Sequence, residues 1–284
     1  MSRFDLYDHP RWYDILFARG SAAKIRGLVR VARDWTESAR HPAWLEPACG
    51  TGRLLVPAAR RGISVTGYDR SAAMVEFAAR QLAKFGRKAR VVEADLVDAH
   101  RQLGTARFDL AFTLDNSLRH LPDDGAVAAH LASTARVLKP GGAYVVGLSF
   151  HDPGRADTSE DIWTGQRGKT RVTQMVQFEP PPAGSRFRHE TVIEHVEVSD
   201  AAGAHHHDAV WRLLLLEQAR WERLVGDSPF TWVATLDATG SPIEPGVFDY
   251  QWLVLTPRRR STSGQAASRH AGVSRPIRRP AVAR

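Results

Sequence analysis

The chain of 284 residues contains one cysteine, Cys49, and three methionines. A single thiol excludes a disulfide framework and a cysteine-rich zinc site, and the expected setting is the reducing cytoplasm. Long apolar runs are missing too. Stretches such as Leu213–Leu216 fall far short of the roughly 18–20 residues that a spanning helix needs, so no membrane partner is expected. The first residues, Met1-Ser-Arg-Phe-Asp-Leu-Tyr-Asp, carry charge without an apolar core and do not read as a secretory leader. Acid is absent from one region: 258–284 holds eight arginines and no Asp or Glu. The whole chain has 39 basic and 31 acidic residues, so 1–257 is neutral and the excess of +8 lies in the tail. That tail is rich in Ser, Ala, Gly and Pro and has little to bury, so it reads as a disordered, Arg-rich extension. The body lacks a basic stripe, which argues against a nucleic-acid partner. The remaining composition, 43% hydrophobic and 25% charged, is that of an ordinary globular protein.

Residues 1–40 predict one or two amphipathic helices, with Ile15, Ile25, Leu28, Val29 and Val31 on the apolar face. From about residue 43 the pattern changes to strand–helix alternation. Ala43–Leu45, Ile63–Tyr68, Arg90–Glu93, Phe108–Leu114 and Ala143–Leu148 read as buried strands. Leu54–Ala59, Ala72–Phe85 and Ala126–Leu138 read as the helices between them, the rhythm of parallel βαβ units. Around residue 151 it breaks. His151–Arg167 reads as a polar loop, followed by three alternating stretches, Thr170–Phe178, Phe187–Val198 and His205–Leu214, with turn residues between them. The expected fold is α/β: a Rossmann-like seven-stranded, mostly parallel sheet with helices on both faces, plus an inserted small antiparallel sheet. The expected division is a helical lid over 1–40, a sheet domain over 41–150 and 215–257, an antiparallel insertion over 151–214, and the tail 258–284.

The sharpest local signal is Leu45-Glu-Pro-Ala-Cys-Gly-Thr-Gly-Arg-Leu, where the first strand passes into a helix. Gly50 and Gly52 permit a turn with no Cβ in the way of a ligand. Asp69, at the end of the second strand, follows Gly50 by 19 residues, the spacing at which an acid meets ribose hydroxyls in nucleotide-binding βαβ units. The third glycine of a dinucleotide fingerprint is replaced by Leu55. Glu46, just before the turn, opposes an anionic pyrophosphate. Both disfavour NAD. S-adenosylmethionine, with a ribose, an ammonium and a sulfonium, suits acids at both strand ends.

On these residues the chain resembles the class I, S-adenosylmethionine-dependent methyltransferases of small-molecule type over about 40–150, and plausibly over 215–257. Glu46-Pro-Ala-Cys-Gly-Thr-Gly is similar to their first motif, and Asp69 to their ribose-binding acid. Glu93-Ala-Asp95-Leu96 resembles the segment that reads adenine, and Val137-Leu-Lys-Pro-Gly-Gly the turn before the fifth strand. The resemblance implies methionine binding along Ala48, Cys49 and Gly50. It implies ribose binding by Asp69 beside Arg70, and adenine contacts from Met74, Asp95 and Leu96. Leu114 would lie near the sulfonium. Asp115-Asn-Ser-Leu-Arg-His-Leu-Pro-Asp resembles a segment of glycine N-methyltransferase-type enzymes whose asparagine faces the acceptor, which points to Asn116. Tyr7–Phe17 resembles their helical lid. The implied activity is methyl transfer to a small-molecule acceptor by in-line displacement, with Asn116, His120 and Tyr13 facing the acceptor. Two rivals are a nucleic-acid methyltransferase using the tail and a cofactor-binding module without transfer.

Other groups have plainer readings. Cys49 has no Cys–His arrangement and reads as a small packing residue. In His205-His-His-Asp208 only His205 and His207 share a strand face, so no metal site is expected. His120 and His151 lie near strand carboxyl ends, where such sheets bind ligands, and either serves as a base or as a loop residue. Of eight tryptophans, Trp12 and Trp163 are the candidates for an acceptor pocket, the rest being expected in the core.

Overall fold

A computed structural model describes residues 4–37, 40–152, 157–182, 184–246 and 250–258. A 3-10 turn, Leu6–Asp8, leads into α1 (Pro10–Phe17) and α2 (Ser21–Trp35). Then come β1 (Ala43–Pro47), α3 (Leu55–Ala59), β2 (Ser64–Asp69), α4 (Ala72–Leu82), β3 (Ala89–Glu93), α5 (His100–Leu103), β4 (Phe108–Thr113), a 3-10 turn over Ser117–His120, α6 (Asp124–Val137) and β5 (Leu138–Leu148). Four strands follow: β6 (Ser159–Arg167), β7 (Thr170–Glu179), β8 (His189–Asp200) and β9 (Gly203–Leu214). The chain closes with α7 (Gln218–Gly226), β10 (Phe230–Leu236) and β11 (Gln251–Pro257).

The larger sheet has the order β10-β11-β5-β4-β1-β2-β3. All its pairs are parallel except those of β11, which runs antiparallel to β5 and β10. β4 is buried at every position, as a central strand covered on both faces must be, and its run of apolar residues follows from that. Apolar clusters fill both faces, one around Leu131, Tyr144 and Trp221 and the other around Leu28, Trp44 and Trp252. The order reverses between β1 and β4, so the crevice at their carboxyl ends is where a doubly wound sheet binds its ligand.

The second sheet is β6-β7-β8-β9, antiparallel throughout. It corrects one expectation: 159–167 is a strand, not part of a polar loop. β6 is an edge strand exposed at nearly every residue, so it lacks the apolar alternation that reveals a half-buried strand, and its pairing with β7 holds it. On the inner face of this sheet Val172, Val196 and Val198 pack against Leu6, Ile15 and Leu16 of the N-terminal segment. The approach is close. A Cβ on Gly165 would lie 2.1 Å from the Ile15 carbonyl oxygen, so only glycine lets β6 sit against α1. The Arg-rich segment expected to be disordered lies, beyond Arg258, outside the described residues.

Candidate active site

The Gly-rich turn is held by the acid that the spacing singled out. Asp69 Oδ2 accepts the Gly50 N–H (2.8 Å) and Oδ1 accepts the Ser71 N–H (3.0 Å), so one carboxylate ties the turn after β1 to the start of α4. Gly50 has φ +50° and Gly52 φ +72°, backbone that favours glycine. A Cβ on Gly50 would meet only the Tyr13 ring at 3.7 Å, which leaves the turn open to a ligand. Burial raises the Asp69 carboxyl despite the two amides that favour its charge. Glu46 is buried at the end of β1, and burial pushes it well above the usual carboxylate range. Its Oε2 has no hydrogen-bond partner, an orphan acceptor at the head of the turn.

Facing these acids is a cation pair absent from the sequence reading. Asp115, just past β4, is bound by Lys24 Nζ of α2 (2.5 Å) and by the Arg53 guanidinium. Burial pushes Asp115 up, but Arg53 and Lys24 outweigh it and hold the carboxyl below its ordinary value. Asp115 and Asn116 both have positive φ, 55° and 61°, a costly conformation outside glycine. Three bonds compensate. The Asp115 N–H donates to the Tyr250 hydroxyl (2.8 Å), and the Asn116 N–H to the Gly147 carbonyl (3.1 Å). Asn116 Oδ1 accepts the Ser149 N–H (2.8 Å).

These residues fit S-adenosylmethionine. An unpartnered carboxylate suits an ammonium, Lys24 and Arg53 suit a carboxylate, and Asp69 suits a ribose diol. Asp95 is exposed, with one oxygen on the Val97 N–H (3.0 Å) and the other left for an adenine amine. The Leu96 carbonyl beside it lies 2.9 Å from the buried His130 Nδ1, so a core histidine positions that loop. Met74 and Leu114 are buried; α4, which carries Met74, lies beneath the first 3-10 turn and α1.

The N-terminal segment covers the turn and meets the second sheet. A cavity of about 1,220 Å3 lies between them, lined by Tyr7, Tyr13, Lys24, Arg53, Arg70 and Asp115 on one side and by Trp163, Gln174, Glu194 and Trp211 on the other. It exceeds the roughly 300–1,000 Å3 of a single small-ligand pocket; of the residues that the resemblance assigns to the cofactor, Arg70 lines it, and Glu46, Gly50, Gly52, Asp69 and Asp95 do not. Asn116, His120 and Tyr13 all line it. The Tyr7 hydroxyl is 3.1 Å from His120 Nε2, and His120 stacks on Trp211 at 5.2 Å between centroids. Burial, with Arg119 and Arg70 nearby, holds the His120 pKa below its ordinary value, so the ring is neutral.

The Asn116 amide is engaged by Ser149, through its N–H and, at 3.3 Å, its hydroxyl, so it braces the ends of β4 and β5. Trp12 stacks on His9 (4.2 Å) and is not among the cavity-lining residues, whereas Trp163 is. Trp211, expected in the core, lines the cavity too, because its place in the register opposite Val192 puts it on the sheet face that the cavity meets. Cys49 is buried and its thiol is pushed well up by burial, as an inert packing residue should be. The His151 N–H donates to Leu216 (2.8 Å). Among the described residues no group of three His, Cys, Asp or Glu is placed to hold a metal, and His195, His206 and Asp208 bond to one another on the outer face. Tyr7, Lys24 and Arg53 were missed because each is an ordinary residue until the fold brings α2 and the lid to the strand ends.

Residues 45–142 match a methyltransferase domain family. Glycine N-methyltransferase of Rattus norvegicus is 27% identical over 202 residues, 57% of this chain and 68% of that protein. Across the curated relatives it matches, the chain spans 26% to 68% of their length. Among solved structures, Streptomyces venezuelae DesVI superposes with a TM-score of 0.72 at 20% identity, over 90% of this chain and all of that one. CalS10, described as an amino pentose methyltransferase from Micromonospora echinaspora, superposes with a TM-score of 0.65 at 20% identity, over 91% of this chain and 99% of that one. No helix among the described residues is long and apolar enough to cross a membrane. The chain thus carries a methyltransferase domain at 45–142, built on the class I fold of the S-adenosylmethionine-dependent methyltransferases.

Proposed function

We propose that the chain transfers the methyl group of S-adenosylmethionine to a nitrogen of a small polar acceptor, an amino sugar or a comparable amine. The observation that carries this reading is the shared cavity: Arg70, next to the ribose acid Asp69, the Lys24–Asp115–Arg53 cluster at the strand ends and the polar inner face of the second sheet line the same space. The similarity to glycine N-methyltransferase and the shared fold with CalS10, an amino pentose methyltransferase, support an amine acceptor.

S-adenosylmethionine, when bound, supplies an electrophilic methyl on a sulfonium, a leaving group that needs no proton. Glu46 would hold its ammonium, Lys24 its carboxylate, Asp69 the ribose hydroxyls and Asp95 the adenine amine. What remains for the protein is alignment of the acceptor and exclusion of water. Tyr7 and Tyr13 lie over the turn and close it from above. Asn116, locked on Ser149, fixes where the strand ends point. An amine must present a free lone pair, so it reacts unprotonated, and the neutral His120, paired with the Tyr7 hydroxyl at Nε2, helps to orient it without adding charge.

Calorimetry with S-adenosylmethionine, S-adenosylhomocysteine and NAD, followed by a mass-spectrometric screen of amines and alcohols, tests the reading. The expected result is micromolar binding of the first two, none of NAD, and methyl added to nitrogen. Failure of the folded protein to bind either adenosyl compound overturns the reading. Transfer confined to oxygen overturns the choice of nitrogen, and binding with no transfer to any acceptor points to a binding module.

A further inference from the structure

The inner face of the second sheet carries polar groups that neither the cofactor nor the fold uses. The pairing register places Gln174 of β7, Glu190 and Glu194 of β8 and Trp211 of β9 on that face, and all four line the cavity. Glu190 is accounted for: it forms a buried ion pair with Arg119, which also donates to the Leu214 carbonyl. Glu194 is different. It is 4% exposed, and its hydrogen-bond partner is the neutral Gln174 side-chain amide. The cations Lys24 and Arg53 pair with Asp115 and not with Glu194. Gln174, 6% exposed, gives its N–H to Glu194, and its Oε1 is left buried with no partner. A carboxylate without a cation and an amide oxygen without a donor therefore sit side by side in the wall of a ligand cavity. Buried polar groups are rarely left so, and a charge-assisted donor is what both lack.

We propose, resting on the methyltransferase reading above, that Glu194 and Gln174 are the acceptor's anchoring site and select an amine: its N–H groups bond to the Glu194 carboxylate and to Gln174 Oε1. Trp211, on the same face of the sheet, links this anchor to the chemistry, since it lines the cavity and stacks on His120. The same carboxylate repels a phosphate or carboxylate, so the anchored end of the acceptor is not anionic.

The test is ligand-observed NMR on the full chain saturated with S-adenosylhomocysteine. Amines are each paired with a hydroxyl counterpart, glucosamine with glucose and ethanolamine with ethylene glycol, within a wider panel of amino sugars. The expected result is at least tenfold preference for the amine in one or more pairs. Glu194→Gln should erase that preference and leave S-adenosylhomocysteine affinity unchanged. Gln174→Met, which keeps the bulk and removes the orphan oxygen, should weaken amine binding severalfold and guards against a folding defect in the first variant. No amine preference in any pair, or a preference that survives Glu194→Gln, overturns the anchor. Methyl transfer is scored separately. Amine preference without transfer overturns the methyltransferase reading and leaves the anchor standing, whereas transfer unaffected by Glu194→Gln overturns the anchor alone.

Discussion

Asp69 shows how much one side chain carries at the residue scale. Its carboxylate holds two backbone amides 21 residues apart in sequence, those of Gly50 and Ser71, and would also receive the ribose. Asp69→Ala should lower S-adenosylmethionine affinity at least tenfold by calorimetry, since a charge-assisted hydrogen bond contributes roughly 1.5–3 kcal/mol. His120→Ala should reduce kcat by about 100-fold, the order of loss expected when an acceptor is misplaced, with S-adenosylhomocysteine affinity unchanged in the same preparation. His130 is a structural counterpart. It is fully buried, and burial lowers its pKa to about 4. The folded state keeps it neutral while the unfolded chain protonates near 6.5, so its contribution is intact above pH 6.5 and is lost as pH falls toward 4. Urea unfolding at stepped pH should show stability dropping by roughly 3 kcal/mol over that window from this group. His130→Gln should flatten the slope by one proton. Asp69 was legible from its spacing, but His130 was not, because burial is what makes it matter.

Among the elements, α1 is tied to the second sheet as well as to the Gly-rich turn of the first. Asp14 of α1 is buried, accepts the Thr51 hydroxyl (3.1 Å) from the Gly-rich turn and pairs with Arg167 at the end of β6 (2.7 Å). Gly165 permits the contact of β6 with α1. Gly165→Ala cannot be accommodated without moving one backbone against another, and should destabilise the protein by about 1–3 kcal/mol. Hydrogen exchange should quicken across 10–17, and S-adenosylmethionine should bind more weakly because Tyr7 and Tyr13 are displaced. Arg167→Ala should give the same exchange pattern more mildly, since Arg167 is half exposed. If exchange in α1 is unchanged in both, the sheet does not hold the lid. The helical character of this segment was readable from its apolar spacing. Its docking was not, since Gly165 and Arg167 lie in a stretch whose polar sequence looks like a loop.

For the whole molecule, charge separates sharply: 1–257 is neutral and the arginines of 258–284 carry the excess. Ending the chain after Arg258 should leave S-adenosylmethionine affinity and small-molecule turnover within twofold of the full chain. A loss of activity on truncation, with steep salt dependence, would instead favour a nucleic-acid substrate. What the sequence alone determined was the alternation of strands and helices, the class I sheet and the Glu46–Gly52 turn with Asp69. These follow from periodicities and turn residues within a few dozen positions. Packing between elements set the rest of the site: the Lys24–Asp115–Arg53 cluster, the Tyr7–His120 pair and the Gln174–Glu194 wall. Each joins residues from separate elements, and a side chain's partners across such distances depend on how sheets and lid pack, which no local pattern encodes.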